Sequence, residues 1–333
     1  MNRATKQGLR SIKTGIRSLT FHNFWLRYVT LAAYRALCAA TSSFTARTTS
    51  GSTHAEWGVE EAISYITSVF NNYKAAAGVR HFHGRIAEIG PGDSCGIGLM
   101  FLAEGCDEVD LLDRFFSPRD ERHQQAINRT LVQQFPQLSS LLGDRSYSEA
   151  SFSKLTRHYG ESAAAETFFE AHKGYDTIVS CAVLEHLYDP LRALTAASSA
   201  LNPGGIMMHQ VDCRDHEQFS THFHELKFLE LPAPLYSPLR WGGGPNRIRL
   251  SSYVNALHQQ GMDCTIYVTG LAGVSEDIGP CRIMRQIAPE IIENSLRYVH
   301  EIRPRLAKPF RDMPDDDLMV TSFLMVAQKG YNS

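Results

Sequence analysis

Two short stretches of the chain concentrate residues able to move protons. Leu-Glu-His-Leu-Tyr-Asp-Pro, residues 184–190, carries Glu185, His186 and Tyr188. His-Gln-Val-Asp-Cys-Arg-Asp-His, residues 209–216, carries His209, Asp212, Asp215 and His216. A histidine accepts a proton close to neutrality, and a carboxylate beside it can orient it. Glu185, His186, Asp212, Asp215 and His216 are therefore the candidate catalytic groups. His209 lies within an apolar run and reads as a structural strand residue. Imidazoles and carboxylates also ligate metals, but this spacing matches no metal signature, and no metal site is assigned from it.

A third stretch, Arg-Ile-Ala-Glu-Ile-Gly-Pro-Gly-Asp-Ser-Cys-Gly-Ile-Gly, residues 85–98, places glycines at 90, 92, 96 and 98 directly after a short apolar run. Glycines there permit a tight turn and a close approach of backbone to a ligand. The spacing is not the dinucleotide fingerprint, because Cys95 stands where its third glycine belongs, and no Lys-Ser/Thr follows to make a phosphate loop. A pyrophosphate is not the expected guest. Asp113 ends the next apolar run, and a carboxylate at that offset accepts hydrogen bonds from both hydroxyls of a ribose. A nucleoside without phosphates fits, with Asp113 on its sugar.

These groups need a frame. Arg-Ile-Ala-Glu-Ile-Gly, Glu-Val-Asp-Leu-Leu-Asp, Tyr-Asp-Thr-Ile-Val-Ser-Cys-Ala-Val, Ile-Met-Met-His-Gln-Val-Asp and Asp-Cys-Thr-Ile-Tyr-Val-Thr read as strands, and an apolar segment closes the chain. Helical periodicity over residues 57–79, and helices near 94–105, 189–201 and 251–261, fall between or before them. Strands alternating with helices imply an α/β fold with a mostly parallel sheet, in which ligands bind beyond the carboxyl ends of the strands. Residues 120–170 show no clear period, and the third strand is not placed.

The segments 87–98, 109–114, 175–190 and 201–212 together resemble the successive motifs of class I S-adenosylmethionine (SAM) dependent methyltransferases. The resemblance covers about residues 81–270 and the closing strand. It implies a Rossmann-like fold with a seven-stranded sheet, its last strand antiparallel. It also implies SAM as cofactor, with Glu88, Gly90, Pro91 and Gly92 along the methionine part, Asp113 and Arg114 at the ribose, and Ala182, Val183 and Leu184 near the sulfonium. SAM supplies an excellent leaving group, so the protein mainly positions a nucleophile, excludes water and takes a proton where one must leave.

Residues 1–55 hold eight Lys or Arg and no Asp or Glu, whereas the rest of the chain is net acidic. That front end is compatible with a transit peptide, an amphipathic membrane-surface helix or a helical cap on an acidic body. Its aromatic residues Phe21, Phe24, Trp25, Tyr28 and Tyr34 favour the cap. The expected organisation is a cap over 1–80, a SAM-binding core over 81–333, and a substrate-side insertion over 214–250. In the insertion, Phe223, Tyr236 and Trp241 could face a cation, and Arg247 and Arg249 an acceptor carboxylate or surface acids. Seven scattered cysteines without a CxxC pair suit a reducing cytoplasmic setting. No basic stripe on the body calls for nucleic acid, and no apolar run is long enough to span a bilayer. Oligomeric state stays open.

Three functions follow. One is transfer of the SAM methyl group to an enclosed small molecule in biosynthesis. A second is suggested by the overall organisation, including the aromatic N-terminal extension, which also resembles azetidine-2-carboxylate synthases. In those enzymes the α-amine of SAM attacks its own γ-carbon and releases methylthioadenosine. The third is SAM binding without catalysis.

Overall fold

Alternation along the strands sets the architecture. In β1 (Arg85–Ile89), Ile86 and Glu88 face one side of the sheet and Ala87 and Ile89 the other. β2 (Glu108–Asp113), β3 (Leu155–Tyr159), β4 (Tyr175–Cys181), β5 (Leu201–Asp212), β6 (Asp263–Leu271) and β7 (Val320–Gln328) complete one seven-stranded sheet in the order β3-β2-β1-β4-β5-β7-β6. β1 to β5 are parallel, and β7 runs antiparallel between β5 and β6. The computed structural model describes residues 23–40, 54, 57–117, 119–216, 218–219, 223–241, 244–276, 278–279 and 281–331.

One face of the sheet is covered by α2 (Val59–Ala77), α3 (Gly96–Ala103) and α4 (Glu121–Gln134), through Ile66, Phe70, Phe101, Ile127 and Leu131. The other face carries α5 (Ala165–Ala171), α6 (Pro190–Ala200) and α8 (Leu250–His258), through Phe168, Phe169, Leu194, Ala197, Tyr253 and Leu257. α3 lies directly on the sheet and on α2. A Cβ on Gly96 would stand 2.3 Å from Ile66 Cδ1, and one on Gly98 would stand 3.0 Å from Leu111 Cδ2. These two glycines serve helix packing.

The strands run from β1 outward to β3 on one side, and from β4 to the β7–β6 pair on the other. The order therefore reverses between β1 and β4, the switch point at whose carboxyl ends an open α/β sheet forms its ligand crevice. The glycine loop and the Ala182–His186 turn both open onto it.

Of the 1–80 segment expected as a cap, the two helices among the described residues go to different places. α1 (Phe24–Ala40) packs on the 214–250 segment, which contains α7 (Ala233–Trp241). Phe24 lies 5.0 Å from Phe219 and 5.7 Å from Phe223, ring centre to ring centre, and the Tyr28 hydroxyl donates to the Leu235 carbonyl at 2.9 Å. α2 instead forms a layer of the core, because Ala62, Ile66, Val69, Phe70 and Tyr73 recur on one helix face and are buried. The helix-spaced residues 9–19, Phe21 and the Thr/Ser run 41–53 lie outside the described residues.

Candidate active site

The crevice begins with the turn after β1. Gly90 has φ +69°, and a Cβ on it would meet Val183 Cγ2 at 2.5 Å, so only glycine lets the two loops close together. The Gly90 N–H donates to the Leu112 carbonyl at 2.8 Å, which ties the turn to β2. Below it, the Glu88 carboxylate accepts from the Gly98 N–H at the start of α3, while its Oε2 has no hydrogen-bond partner among the described residues. Burial pushes the Glu88 carboxyl up to about 8, against the opposing pull of Arg157.

Arg157 on β3 is the loop's clamp. It donates to the carbonyl of Gly92 at 3.0 Å and of Ser94 at 3.1 Å. Glu149 holds it by two bonds of 2.6 Å, and Arg119 joins Glu149 at 2.8 Å. Sequence reading missed this group because Arg157 stands on the strand it could not place.

Asp113 ends β2 at the crevice. Its Oδ1 accepts from the Phe115 N–H at 3.0 Å, and burial lifts its carboxyl to about 6. Arg114 turns the other way. It donates to Glu166 at 3.1 Å and stacks 4.6 Å above the Tyr188 ring, linking the loop after β2 to the turn after β4. Pro91 and Gly92 are buried in the loop.

The opposite wall is the turn after β4. Ala182 adopts φ +53°, uncommon for a residue with a Cβ, and its N–H donates to the Gln210 carbonyl at 3.0 Å. Val183 packs against the Gly90 turn, and Leu184 is buried beneath. Glu185 is 1% exposed. Its Oε1 accepts from the Asp212 N–H at 3.2 Å, and its Oε2 has no hydrogen-bond partner among the described residues. Burial pushes its carboxyl up to about 8. Asn246 fixes this turn, donating its N–H to the Glu185 carbonyl at 2.5 Å and its side-chain amide to the Leu184 carbonyl at 2.8 Å.

The fold brings His216 to the same turn. Its Nε2 lies 3.8 Å from Glu185 Oε1 and 3.1 Å from the Asp212 carbonyl oxygen, and its ring centre lies 4.7 Å from that of His186. Since a carbonyl only accepts, a neutral His216 carries its proton on Nε2 and its lone pair on Nδ1. One ligand atom from each of Glu185, His186 and His216 lies within 4.8 Å of the others. Asp212 is engaged differently. Burial opposes its ionisation, but the Arg214 guanidinium clasps both oxygens, at 2.9 and 2.6 Å, and holds its carboxyl below the ordinary range. Asp215 is wholly buried and its Oδ2 accepts from the Phe219 N–H at 2.7 Å.

The remaining residues singled out in the sequence fall elsewhere. His209 is buried against Ser180 at 2.8 Å, and burial drives its pKa down to about 3. Arg249 corrects an expectation. It is fully buried and donates to the carbonyls of Asp317, Cys213 and Val320, so it pins the end of β5 to the start of β7 and cannot meet an acceptor carboxylate. Arg247 stacks on Tyr236 and Phe310, 4.5 and 4.8 Å from the ring centres. Tyr236 is buried and its hydroxyl donates to the Pro245 carbonyl at 2.7 Å. Phe223 packs on Phe24 and lies under the Lys227 ammonium. The Trp241 side chain is outside the described residues. Tyr65 of α2, which sequence reading did not single out, sets its hydroxyl 3.4 Å from Cys181 Sγ at the end of β4. Its ring packs on Trp57 and His54.

A crevice at the switch point, a bare glycine turn and an acidic strand end define a SAM-binding α/β protein. Residues 70–265 match the family described as "Methyltransferase domain", and with more than half of its length matched the chain belongs to that family. SAM is its cofactor. No curated protein matches the chain. Similar solved structures include phosphoethanolamine N-methyltransferase 2 of Haemonchus contortus in complex with SAM, at 13% identity over 79% of this chain, with TM-score 0.42. This chain spans only 52% of that protein's length. A SAM-dependent methyltransferase from Mesorhizobium loti is 14% identical over 82% of this chain and all of its own, with TM-score 0.40. The [4+2]-cyclase SpnF is 12% identical over 79% of this chain and 81% of its own, with TM-score 0.40. Likenesses this distant say nothing of substrate. No described helix is long and apolar enough to cross a membrane.

Proposed function

We propose that the chain transfers the methyl group of SAM to a small acceptor held beneath α1 and the 214–250 segment. The observation that carries this reading is the convergence of Glu185, His186 and His216 beside Ala182–Leu184, the turn assigned to the sulfonium. In this reading the methionine part of SAM lies along Glu88, Gly90, Pro91 and Gly92. Its ribose hydroxyls bind Asp113, and Arg114 braces that loop from outside. His186 and His216 would then stand on the side from which an acceptor meets the methyl group. An acceptor O–H or N–H attacks that carbon in line, the S–CH3 bond breaks, and the neutral sulfide S-adenosylhomocysteine leaves. The acceptor's proton passes to the Glu185–His186–His216 cluster. Asp212 and Asp215 shape the loop that carries His216. α1, with Phe24 on Phe219 and Phe223, closes the acceptor side and keeps water out. The setting proposed is cytoplasmic small-molecule biosynthesis.

The test is to incubate the purified chain with SAM, alone and with small-molecule extracts, and to identify the nucleoside product. S-adenosylhomocysteine that forms only with extract supports methyl transfer. Methylthioadenosine from SAM alone would replace this reading with intramolecular cyclisation. Tight SAM binding without turnover in either case would mark a non-catalytic binder.

A further inference from the structure

α1 carries apolar residues on two faces. Phe24, Tyr28, Leu31 and Ala32 pack on the body of the protein. Trp25, Leu26 and Val29 stand 57%, 49% and 57% exposed, and Ala33 and Ala36 are exposed as well. We propose that this outer face docks the chain on an anionic membrane surface, with the basic residues that precede α1 on the lipid headgroups. The proposal does not depend on which reaction the crevice performs.

Three observations support the surface. At 3.6 residues per turn, Trp25, Leu26, Val29, Ala33 and Ala36 fall within an arc of about 100°, so they form one stripe along the helix. Every exposed side chain described on α1 belongs to this stripe, and all are apolar. A helix that only caps a core turns charged residues to that side, whereas a helix lying in a membrane interface turns Trp, Leu and Val there. Second, the neighbouring helix adds to the same region. The Tyr28 hydroxyl holds the carbonyl of Leu235 on α7, and Leu235 is itself 36% exposed. Four of the seven large apolar side chains exposed among the described residues therefore lie on α1 and α7, a clustering that marks an interaction surface.

Third, charge selects the partner. Arg3, Lys6, Arg10, Lys13 and Arg17 precede α1, and no Asp or Glu occurs before Glu56. The chain's 33 Lys and Arg less the eight in residues 1–55 leave 25 against 35 Asp and Glu. An anionic surface therefore attracts the front end and repels the rest, which orients the chain with α1 towards the lipid. Trp25 suits the headgroup boundary, where one edge of an indole is apolar and the other wet. A second copy paired through the same stripe would bring the basic residues of both chains together, and like charges oppose that arrangement.

The full chain is mixed with vesicles of phosphatidylglycerol and phosphatidylcholine in equal parts, or of phosphatidylcholine alone, and the bound fraction is measured by co-sedimentation. The surface predicts about tenfold or stronger partition onto the anionic vesicles at about 0.1 M salt. That preference disappears at about 1 M, where the screening length falls from about 10 Å to about 3 Å. The paired substitution Trp25→Ser and Val29→Ser lowers partition about tenfold or more, whereas Tyr331→Ser, at an exposed position near the other end of the chain, leaves it unchanged. Thermal unfolding of each variant checks that the body keeps its wild-type transition. If the paired variant fails that check, Leu26→Ser, which alters one exposed side chain, decides in its place. Equal partition onto both kinds of vesicle, or unchanged partition of the substituted chain, overturns the proposal. So does a dimer in light scattering that the paired substitution breaks up, because the stripe then belongs to a second copy.

Discussion

Replacing Arg157 by Met tests whether the glycine loop is shaped from outside before SAM arrives. Arg157 donates two bonds to loop carbonyls and two to Glu149 from a site that is 4% exposed. Removing one partner of a buried ion pair costs about 3–5 kcal/mol. Here Arg119 still neutralises Glu149, so the expected loss of stability is smaller, roughly 2–4 kcal/mol. For a chain of this size that is a Tm lowered by roughly 3–6 °C. The two carbonyl bonds matter separately. If SAM must then order the loop itself, the binding penalty is about one charge-assisted hydrogen bond, 1.5–3 kcal/mol, or roughly a 10- to 100-fold rise in Kd. Differential scanning calorimetry and isothermal titration with SAM measure the two effects. A lowered Tm with unchanged Kd would show that the loop keeps its form without Arg157, and the preorganisation argument would be wrong.

Three further outcomes are expected. Asp113→Ala weakens SAM binding by about 1.5–3 kcal/mol, and because burial lifts the Asp113 carboxyl to about 6, wild-type affinity drops as pH falls below that value while the variant's does not; parallel pH curves would contradict this. Burial holds the Glu88 carboxyl at about 8, above its ordinary 4.5, so the folded chain keeps a proton that the unfolded chain releases in that window. Stability therefore declines as pH rises from about 4.5 towards 8, and Glu88→Gln flattens the decline in Tm; equal slopes in the two proteins would remove Glu88 as the cause. Phe24→Ala loses its two ring contacts with the 214–250 segment, worth about 0.5–1.5 kcal/mol each, so proteolysis near α1 quickens while the main unfolding transition holds; a matching drop in that transition would make α1 part of the core.

Periodicity made most of the fold legible. Strands β1, β2, β4 and β6 lie where their residues imply, as do α2, α3, α6 and α8, whereas β5 starts earlier than the apolar run 206–212, because Leu201 already pairs with Tyr175 and the Asn-Pro-Gly-Gly stretch expected as a turn is taken up as an irregularity within the strand. β3 was hidden because it edges the sheet and alternates nothing. Leu155 is buried, but Thr156, Arg157, His158 and Tyr159 are polar or exposed. α4 was masked in the same way, with Ile127 and Leu131 buried in an otherwise polar helix. The glycine turn and Asp113 were readable because both act through backbone form and a strand end, which are local properties. The Glu185–His216 pair was not, because it depends on β4 and β5 lying side by side in register, with Ser180 opposite His209 and Cys181 opposite Gln210. Likewise, nothing local distinguishes Arg247 from Arg249. Only burial shows that Arg249 spends its donors on three carbonyls while Arg247 stacks on rings.

The most direct measurement is a crystal structure of the full chain with SAM or S-adenosylhomocysteine. The account predicts the amino-acid part over the Gly90–Gly92 backbone, both ribose hydroxyls on the Asp113 carboxylate, and the sulfur facing Ala182–Leu184 with His186 and His216 beyond it. A nucleoside seated anywhere else, or a ribose held without Asp113, would contradict it.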